Sequence, residues 1–202
     1  PAVHCGATYT QRKGRGRYEG EPTCASANLI AGVQGCTYGC LGFGDCFRAC
    51  AFDAIHVVDG LATVDYDKCV GCGACETACP RHIISMVPFK IGRMLVIKCS
   101  NQDGGKDVKA VCEVGCIGCK ACARNADGLF VMDGNLPRID YDKYDPTNMD
   151  AAKLAVTKCP MKRIESIGKP SAKDLEATRD EEMPTLVTAD FRTTVDQTDW
   201  QG

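Results

Sequence analysis

The stretch CVGCGACETACP, residues 69–80, decides the fold of this chain. Its spacing, C-x2-C-x2-C-x3-C-P, is the bacterial pattern for thiolates that ligate [4Fe–4S] clusters. All four thiols lie within eleven residues, whereas a structural zinc site usually takes its ligands from two separated knuckles. The stretch therefore predicts iron–sulfur ligation, with zinc binding and uncommitted thiols as the alternatives.

Cysteine is abundant in the rest of the chain as well, with 16 among 202 residues and a formal net charge of −2. The sequence opens without a basic and apolar leader, and apolar runs such as residues 94–97 are far shorter than the roughly 20 residues that span a bilayer. Free thiols persist in reducing compartments, where metals bind them. We therefore expect a cytoplasmic protein.

An internal repeat at an offset near 75 residues organises the chain. CTYGCLG at 36–42 matches CEVGCIG at 112–118, IHVVDG at 55–60 matches LFVMDG at 129–134, and DYDKC at 65–69 matches DYDKY at 140–144. Each copy has ligand loops, short helices and a β-hairpin that turns at Asp-Gly. This order predicts an α+β fold of tandem ferredoxin-like units of the bacterial dicluster type, the second of them degenerate.

The repeat also suggests domain boundaries. We expect an N-terminal segment at 1–35 that carries Cys5 and Cys24, a dicluster unit at 36–95, and a degenerate unit with one cluster at 96–168. Residues 169–202 are rich in acids and threonine, which predicts an extended tail. Such a tail either binds a partner protein through apolar anchors or is disordered. The anchors would be Leu186, Phe191 and Trp200.

The cluster ligands of the second copy can be inferred from the motif cysteines that it lacks. In dicluster ferredoxins the fourth cysteine of each motif ligates the other cluster. The second copy has Ala126 at the fourth position of its first motif and Tyr144 at the position equivalent to Cys69. Its surviving cysteines form the ligand set of one crossed cluster: Cys116, Cys119, Cys122 and Cys159.

The first copy has enough cysteines for two clusters, although its first motif is altered. Phe43 stands where the second copy has Cys119, so we expect Cys36 to substitute as a ligand. If Cys36 does not reach, three thiolates remain and the site forms [3Fe–4S]. The expected ligand sets are Cys36, Cys40, Cys46 and Cys79 for one cluster, and Cys50, Cys69, Cys72 and Cys75 for the other.

Four cysteines are left over, namely Cys5, Cys24, Cys99 and Cys112. Since Cys5 and Cys99 are equivalent in the repeat, this set could bind a further cluster between the copies. The alternative is that all four are buried structural thiols, as free cysteine often is. The sequence therefore predicts three [4Fe–4S] clusters and leaves a fourth open.

Other functional classes find little support. The chain shows no Ser-His-Asp set and no Walker loop, and Gly42-x-Gly44 lacks the third glycine of a dinucleotide fingerprint. The basic loop at 11–18 is expected to be solvated or to dock an acidic redox partner, so we predict no nucleic-acid binding. The alternative to an electron carrier is a catalytic iron–sulfur enzyme with a substrate-binding cluster, and the third candidate is a zinc-dependent nucleic-acid module.

The motifs VHC at 3–5, CTYGCLGFGDC at 36–46, FDAI at 52–55 and VCEVGCIGC at 111–119 together resemble the B subunit of Rnf complexes over roughly residues 2–165. The resemblance implies a subunit that takes electrons from reduced ferredoxin and passes them to a membrane-bound, ion-translocating ferredoxin:NAD⁺ oxidoreductase. Residues 1–202 contain no stretch that resembles the family's hydrophobic N-terminal anchor or the cluster motif behind it. We therefore expect other complex subunits as partners and only indirect contact with the cytoplasmic membrane face.

Overall fold

The computed structural model describes residues 1–14, 16–126 and 128–169. Short helices and short strands alternate along the described chain. In chain order they are β1 (Ala2–Val3), α1 (Cys24–Asn28), α2 (Asp45–Arg48), β2 (Ile55–Val58), β3 (Leu61–Val64), α3 (Ala74–Ala78), β4 (Ile84–Ser85), β5 (Arg93–Ile97), α4 (Gly105–Val111), α5 (Ala121–Asn125), β6 (Phe130–Asp133), β7 (Leu136–Ile139), α6 (Asp150–Thr157) and β8 (Ile164–Gly168).

The order of elements occurs twice. Strand, two helices, hairpin, helix and strand make a first unit from β1 to β4, and the same series makes a second unit from β5 to β8. In each unit the first strand pairs antiparallel with the last one, Val3 opposite Ile84 and Ile97 opposite Ile164. The N-terminal segment therefore contributes the closing strand of the first unit.

Each unit also contains a two-stranded hairpin, β2–β3 in the first and β6–β7 in the second. The first turns at Asp59-Gly60, where both residues have positive φ, the requirement of a type I′ turn. The second turns one residue later than the sequence predicts, because Asp133 pairs with Leu136 and leaves Gly134 at the first central position. Glycine at that position is typical of type II′ turns.

Apolar side chains form a separate core in each unit. Ile55, Val64 and Ile83 are buried in the first, and Met94 and Phe130 are buried in the second. Several cysteines belong to the same cores, so that the candidate ligands lie at the centres of the units. Packing therefore places the thiols beside the hairpins.

Within the described part of the chain, no helix is long and apolar enough to cross a membrane. The predicted extended tail falls beyond Lys169, so it and its anchors, Leu186, Phe191 and Trp200, lie outside the described residues.

Candidate metal centres

The first cysteine set, called site A, combines three cysteines of the 69–80 motif with Cys50. Its members, Cys50, Cys69, Cys72 and Cys75, line one cavity. The loop between them turns at Gly71 and Gly73, whose φ values are 73° and 81°, and α3 begins directly after Gly73. Left-handed glycines let the backbone wrap closely around the cavity. Cys72 is exposed at the surface, whereas Cys75 is buried.

A second set, site B, consists of Cys24, Cys40, Cys46 and Cys79, which line another cavity. Cys24 reaches it because α1 is held against the first ligand helix. The amides of Cys24 and Ala25 each donate to the carboxylate of Asp45 at 2.9 Å. Asp45 is the residue before Cys46 in α2, so a single side chain fixes the two ligand-bearing helices together.

Site B departs from the grouping that the sequence suggests, in which Cys36 takes the place of the missing thiol at Phe43. Phe43 is only 1% exposed and packs edge-to-face on Tyr18, with ring centroids 5.2 Å apart. Cys24 packs in the same small core. The N-terminal segment therefore brings Cys24, and not Cys36, to the cavity as the fourth thiol.

The third set, site C, contains Cys36 with Cys5, Cys99 and Cys112, which line a cavity between the two units. All four are buried. The set consists of two pairs that are equivalent in the repeat, Cys5 with Cys99 and Cys36 with Cys112. It matches the four leftover cysteines except that Cys36 and Cys24 exchange places.

The fourth set, site D, gathers the cysteines that survive in the second copy. Cys122 lies in α5 and Cys159 follows α6, and these helices pack together. Burial, together with the nearby thiols of Cys116, Cys159 and Cys119, raises the pKa of the Cys122 thiol to about 11. The amide of Arg163 donates to Cys159 Sγ at 3.3 Å. Cys119 is exposed at the surface.

The four sites follow one another through the molecule. Site A adjoins site B because α2 and α3 contact each other. Helix α2 carries Cys46 of site B, and α3 carries Cys75 of site A. The amide of Cys40 in site B donates to Cys5 Sγ in site C at 3.5 Å. The equivalent amide in the second copy, Cys116 in site D, donates to Cys99 Sγ in site C at 3.3 Å. The order of sites is therefore A, B, C, D.

Burial favours the protonated thiol at Cys24, Cys40, Cys46 and Cys99. It raises the pKa of Cys24 and of Cys99 to about 12, and it also raises the pKa of Cys40 and Cys46. Metal ligation requires the thiolate, so cluster binding releases protons here and needs compensating positive charge. The thiols of sites A, B and C line cavities. Among the described residues, no three His, Cys, Asp or Glu side chains are close enough to hold a single metal ion.

Arg12 provides such a positive charge. Its surroundings show whether an anionic group fits in the cavity of site C. Its side chain is only 6% exposed and lines the cavity of site C. One terminal nitrogen, Nη2, donates to the carbonyls of Ala7 and Gly60 at 2.6 and 2.9 Å. The other two nitrogens, Nε and Nη1, are buried and have no hydrogen-bond partner among the residues that the structure describes. Since burying unpaired donors and an unpaired cation is costly, a cluster with anionic sulfurs in this cavity fits the residues present.

Comparison with known families agrees with this chemistry. Residues 62–85 match the family described as 4Fe-4S binding domain, and residues 111–166 match the 4Fe-4S single cluster domain of Ferredoxin I. The second description suits a unit in which one ligand set survives. The two matched segments are thus similar to 4Fe-4S domains of the ferredoxin type.

Three longer proteins are similar to more than half of this chain. The chain is 39% identical over 80% of its length to the B subunit of the Na(+)-translocating ferredoxin:NAD(+) oxidoreductase complex of Acetobacterium woodii, and covers 47% of that protein. It is 38% identical over 80% of its length to the B subunit of an ion-translocating oxidoreductase complex of Methanosarcina acetivorans, with 57% of that protein covered. A proton-translocating relative from Clostridium ljungdahlii is 36% identical over 56% of this chain and 40% of its own length. The resemblance to Rnf B subunits is thereby confirmed, and the chain spans about half the length of the curated relatives it matches.

Proposed function

We propose that this chain is an electron relay that holds four [4Fe–4S] clusters, one in each of sites A to D. The observation that carries the proposal is the complete partition of the sixteen cysteines into four sets of four. The sets are Cys50, Cys69, Cys72 and Cys75 for site A; Cys24, Cys40, Cys46 and Cys79 for site B; Cys5, Cys36, Cys99 and Cys112 for site C; and Cys116, Cys119, Cys122 and Cys159 for site D.

The arrangement suits transfer from one end of the molecule to the other. A bound cluster supplies one-electron oxidation and reduction, and the protein fixes its position and its surroundings. The two end sites each have an exposed cysteine, Cys72 at site A and Cys119 at site D. The four cysteines of site C are all buried. Electrons can therefore enter and leave at the ends, while no cysteine of the inner sites B and C is exposed.

We infer the partners from the relatives. Their names describe subunits of ion-translocating complexes, two of which use ferredoxin and NAD(+). In this proposal the chain accepts single electrons from reduced ferredoxin or a similar low-potential donor and passes them to other subunits of an Rnf-like or other multisubunit oxidoreductase. It works at the cytoplasmic face of the membrane, which it contacts only through its partner subunits.

A catalytic iron–sulfur enzyme, the alternative that the sequence leaves open, needs a cluster with one iron free of cysteine. Four complete sets provide four thiols for every cluster, and this favours a relay over a substrate-binding centre.

Paired cysteine substitutions test the ligand sets. The intact protein, isolated without oxygen, should contain about sixteen iron atoms per chain, four for each cluster. Because Cys24 and Cys79 share site B, the double variant Cys24→Ser, Cys79→Ser should lose one cluster, as either single variant does. The matched double variant Cys36→Ser, Cys79→Ser should lose two.

The grouping by sequence alone places Cys36 with Cys79, so it predicts one cluster lost in the Cys36, Cys79 pair. For the Cys24, Cys79 pair it predicts the loss of one cluster, or of two if the leftover cysteines bind a fourth. Iron analysis with counts of acid-labile sulfide separates the two patterns. Colourless, iron-free protein would reject the relay altogether.

A further inference from the structure

Two arginines lie at the junction of sites B and C, and neither is needed as a cluster ligand. Arg12 lines the cavity of site C together with Lys98. Arg81 lines the cavity of site B, where the carboxylate of Asp45 is paired with Arg48. Within residues 1–14, 16–126 and 128–169, neither side chain has a carboxylate partner within ion-pair distance. Both cations therefore depend on other groups for compensation.

Arg81 is held across the junction by three hydrogen bonds. Its Nη1 donates to the carbonyls of Cys36 and Gly39 at 2.8 and 3.0 Å, and its Nε donates to Asn28 Oδ1 at 3.0 Å. Cys36 belongs to site C, and Asn28 ends the helix that begins with Cys24 of site B. The guanidinium is thus fixed between the backbone segments of the two sites by neutral acceptors that leave its charge intact.

Arg12 is fixed from the other side of the same junction. Its guanidinium carbon lies 5.6 Å from the centroid of the Tyr9 ring, and two carbonyls hold Nη2. Its backbone forms an isolated bridge with Cys112 of site C. The unpartnered Nε and Nη1 leave two buried donors available on a group that cannot lose its proton.

Fixed positive charge next to a cluster changes its reduction potential. An oxidised [4Fe–4S] core with four thiolates carries about −2, and reduction adds a further negative charge. Water screens this interaction weakly inside a protein, so a buried guanidinium favours the reduced form. By contrast, the cavity of site A is lined by cysteines, glycines, alanines and apolar side chains, with no charged side chain among them.

We propose that Arg12 and Arg81 are the fixed counter-charges of sites B and C and raise the reduction potentials of their clusters, so that electrons entering at site A rest on the inner pair. This inference depends on the proposed function, because it needs clusters in sites B and C. It assigns the two arginines to redox tuning, with no contact to a substrate.

The test is a redox titration of the purified chain under anaerobic conditions, followed by electron paramagnetic resonance. In Arg12→Gln the equilibrium constant for one-electron reduction of the inner clusters should fall about tenfold, a drop of about 59 mV in midpoint potential. Arg12→Lys keeps the charge and should retain most of the potential. Arg17→Gln removes an exposed arginine that pairs with Glu19, and should leave every potential unchanged.

Iron content separates failure of this inference from failure of the relay. Wild-type protein with fewer than four clusters would reject the relay itself. Full iron content with unchanged inner potentials in both Arg12→Gln and Arg81→Gln would overturn only the counter-charge assignment. If glutamine removes iron from sites B or C while lysine retains it, the positive charge is needed to hold the clusters, which supports the assignment. Iron loss in the lysine variants as well would show a purely structural role and overturn it.

Discussion

The first and second units share an order of elements, yet the first has two cysteine sets of its own and the second has one. At the two positions where the first unit has Cys50 and Cys69, the second has Ala126 and Tyr144. Both replacements are buried, at 2% and 3% exposure, in the core of the second unit. An apolar core can therefore occupy the place of a cluster without changing the surrounding fold.

Helix α6, which follows Tyr144, explains how an apolar core replaces the second cysteine set in this unit. In the first unit α3 has five residues and carries Cys75, whereas α6 has eight residues and buries Ala152 and Ala155 against the same core as Tyr144. A longer helix with small buried residues allows close packing, so side chains supply the cohesion that a cluster would otherwise provide. The first unit should therefore depend more strongly on its metal than the second.

Removal of one ligand from equivalent positions gives the largest expected effect. Cys159→Ser should remove the cluster of site D, about four of about sixteen iron atoms, and leave the first unit intact, because site D lies at one end. Cys79→Ser should remove the cluster of site B and interrupt the path between sites A and C. Iron analysis checks the first effect, and stopped-flow reduction of the remaining clusters checks the second. Iron loss spread over all sites in Cys159→Ser would contradict the separate ligand sets.

Much of the difference between the units is predictable from the repeat. The spacing within residues 69–80 predicts the thiols of site A, and the selective losses at Ala126 and Tyr144 predict the set of site D. Both inferences use ligands that lie within one motif or follow a known crossing rule. The thiols of the first set line one cavity, and the thiols of Cys116, Cys119 and Cys159 lie near Cys122.

The exchange of Cys24 and Cys36 is not predictable in the same way. Cys24 has no counterpart in the second copy, so the repeat gives no position for it. Its place depends on the contacts of Asp45 with the start of α1, which are tertiary hydrogen bonds across about twenty residues of chain. The available signal is the equivalence of Cys36 with Cys112 and of Cys5 with Cys99, which makes those four a symmetric set.

The buried tyrosine of the second unit gives the next largest effect. Tyr144→Ala should leave a cavity in the core that stands in place of a cluster, and should lower the free energy of unfolding by about 3–5 kcal/mol. Anaerobic denaturation followed by circular dichroism measures the loss. Leu29→Ala, at an apolar residue that is 86% exposed in the first unit, is the control and should cost less than about 1 kcal/mol. Equal losses in the two variants would show that Tyr144 does not support the core.

The two hairpin turns differ in how tightly their glycines are packed. A Cβ on Gly60 would clash with the Tyr9 ring, which packs under Arg12, whereas a Cβ on Gly134 would meet nothing closer than 3.8 Å. Both glycines have positive φ, so alanine strains each turn by about 1 kcal/mol. Gly60→Ala should destabilise by about 2–3 kcal/mol in total because overpacking is added, and Gly134→Ala by about 1 kcal/mol. Thermal unfolding of the two variants under identical conditions ranks them, and a larger loss for Gly134→Ala would contradict the packing difference.

Removal of the equivalent hydroxyls of Tyr141 and Tyr66 should give the smallest loss of stability, and here the two units differ least. Tyr141 donates to the carbonyl of Leu95 and Tyr66 donates to the carbonyl of Pro1, both at 2.9 Å. Burial raises the pKa of both phenols, so each hydroxyl keeps the proton that it donates. Leu95 lies within the five-residue strand β5, whereas Pro1 precedes the two-residue strand β1 and lies outside its ladder, so that its carbonyl is held less firmly. Tyr141→Phe should therefore cost about 1–2 kcal/mol, and Tyr66→Phe about 0.5 kcal/mol. Hydrogen exchange at the amides of β5 and β1 measures both losses, and equal protection in the two variants would mean that the strand context of the carbonyl does not set the cost.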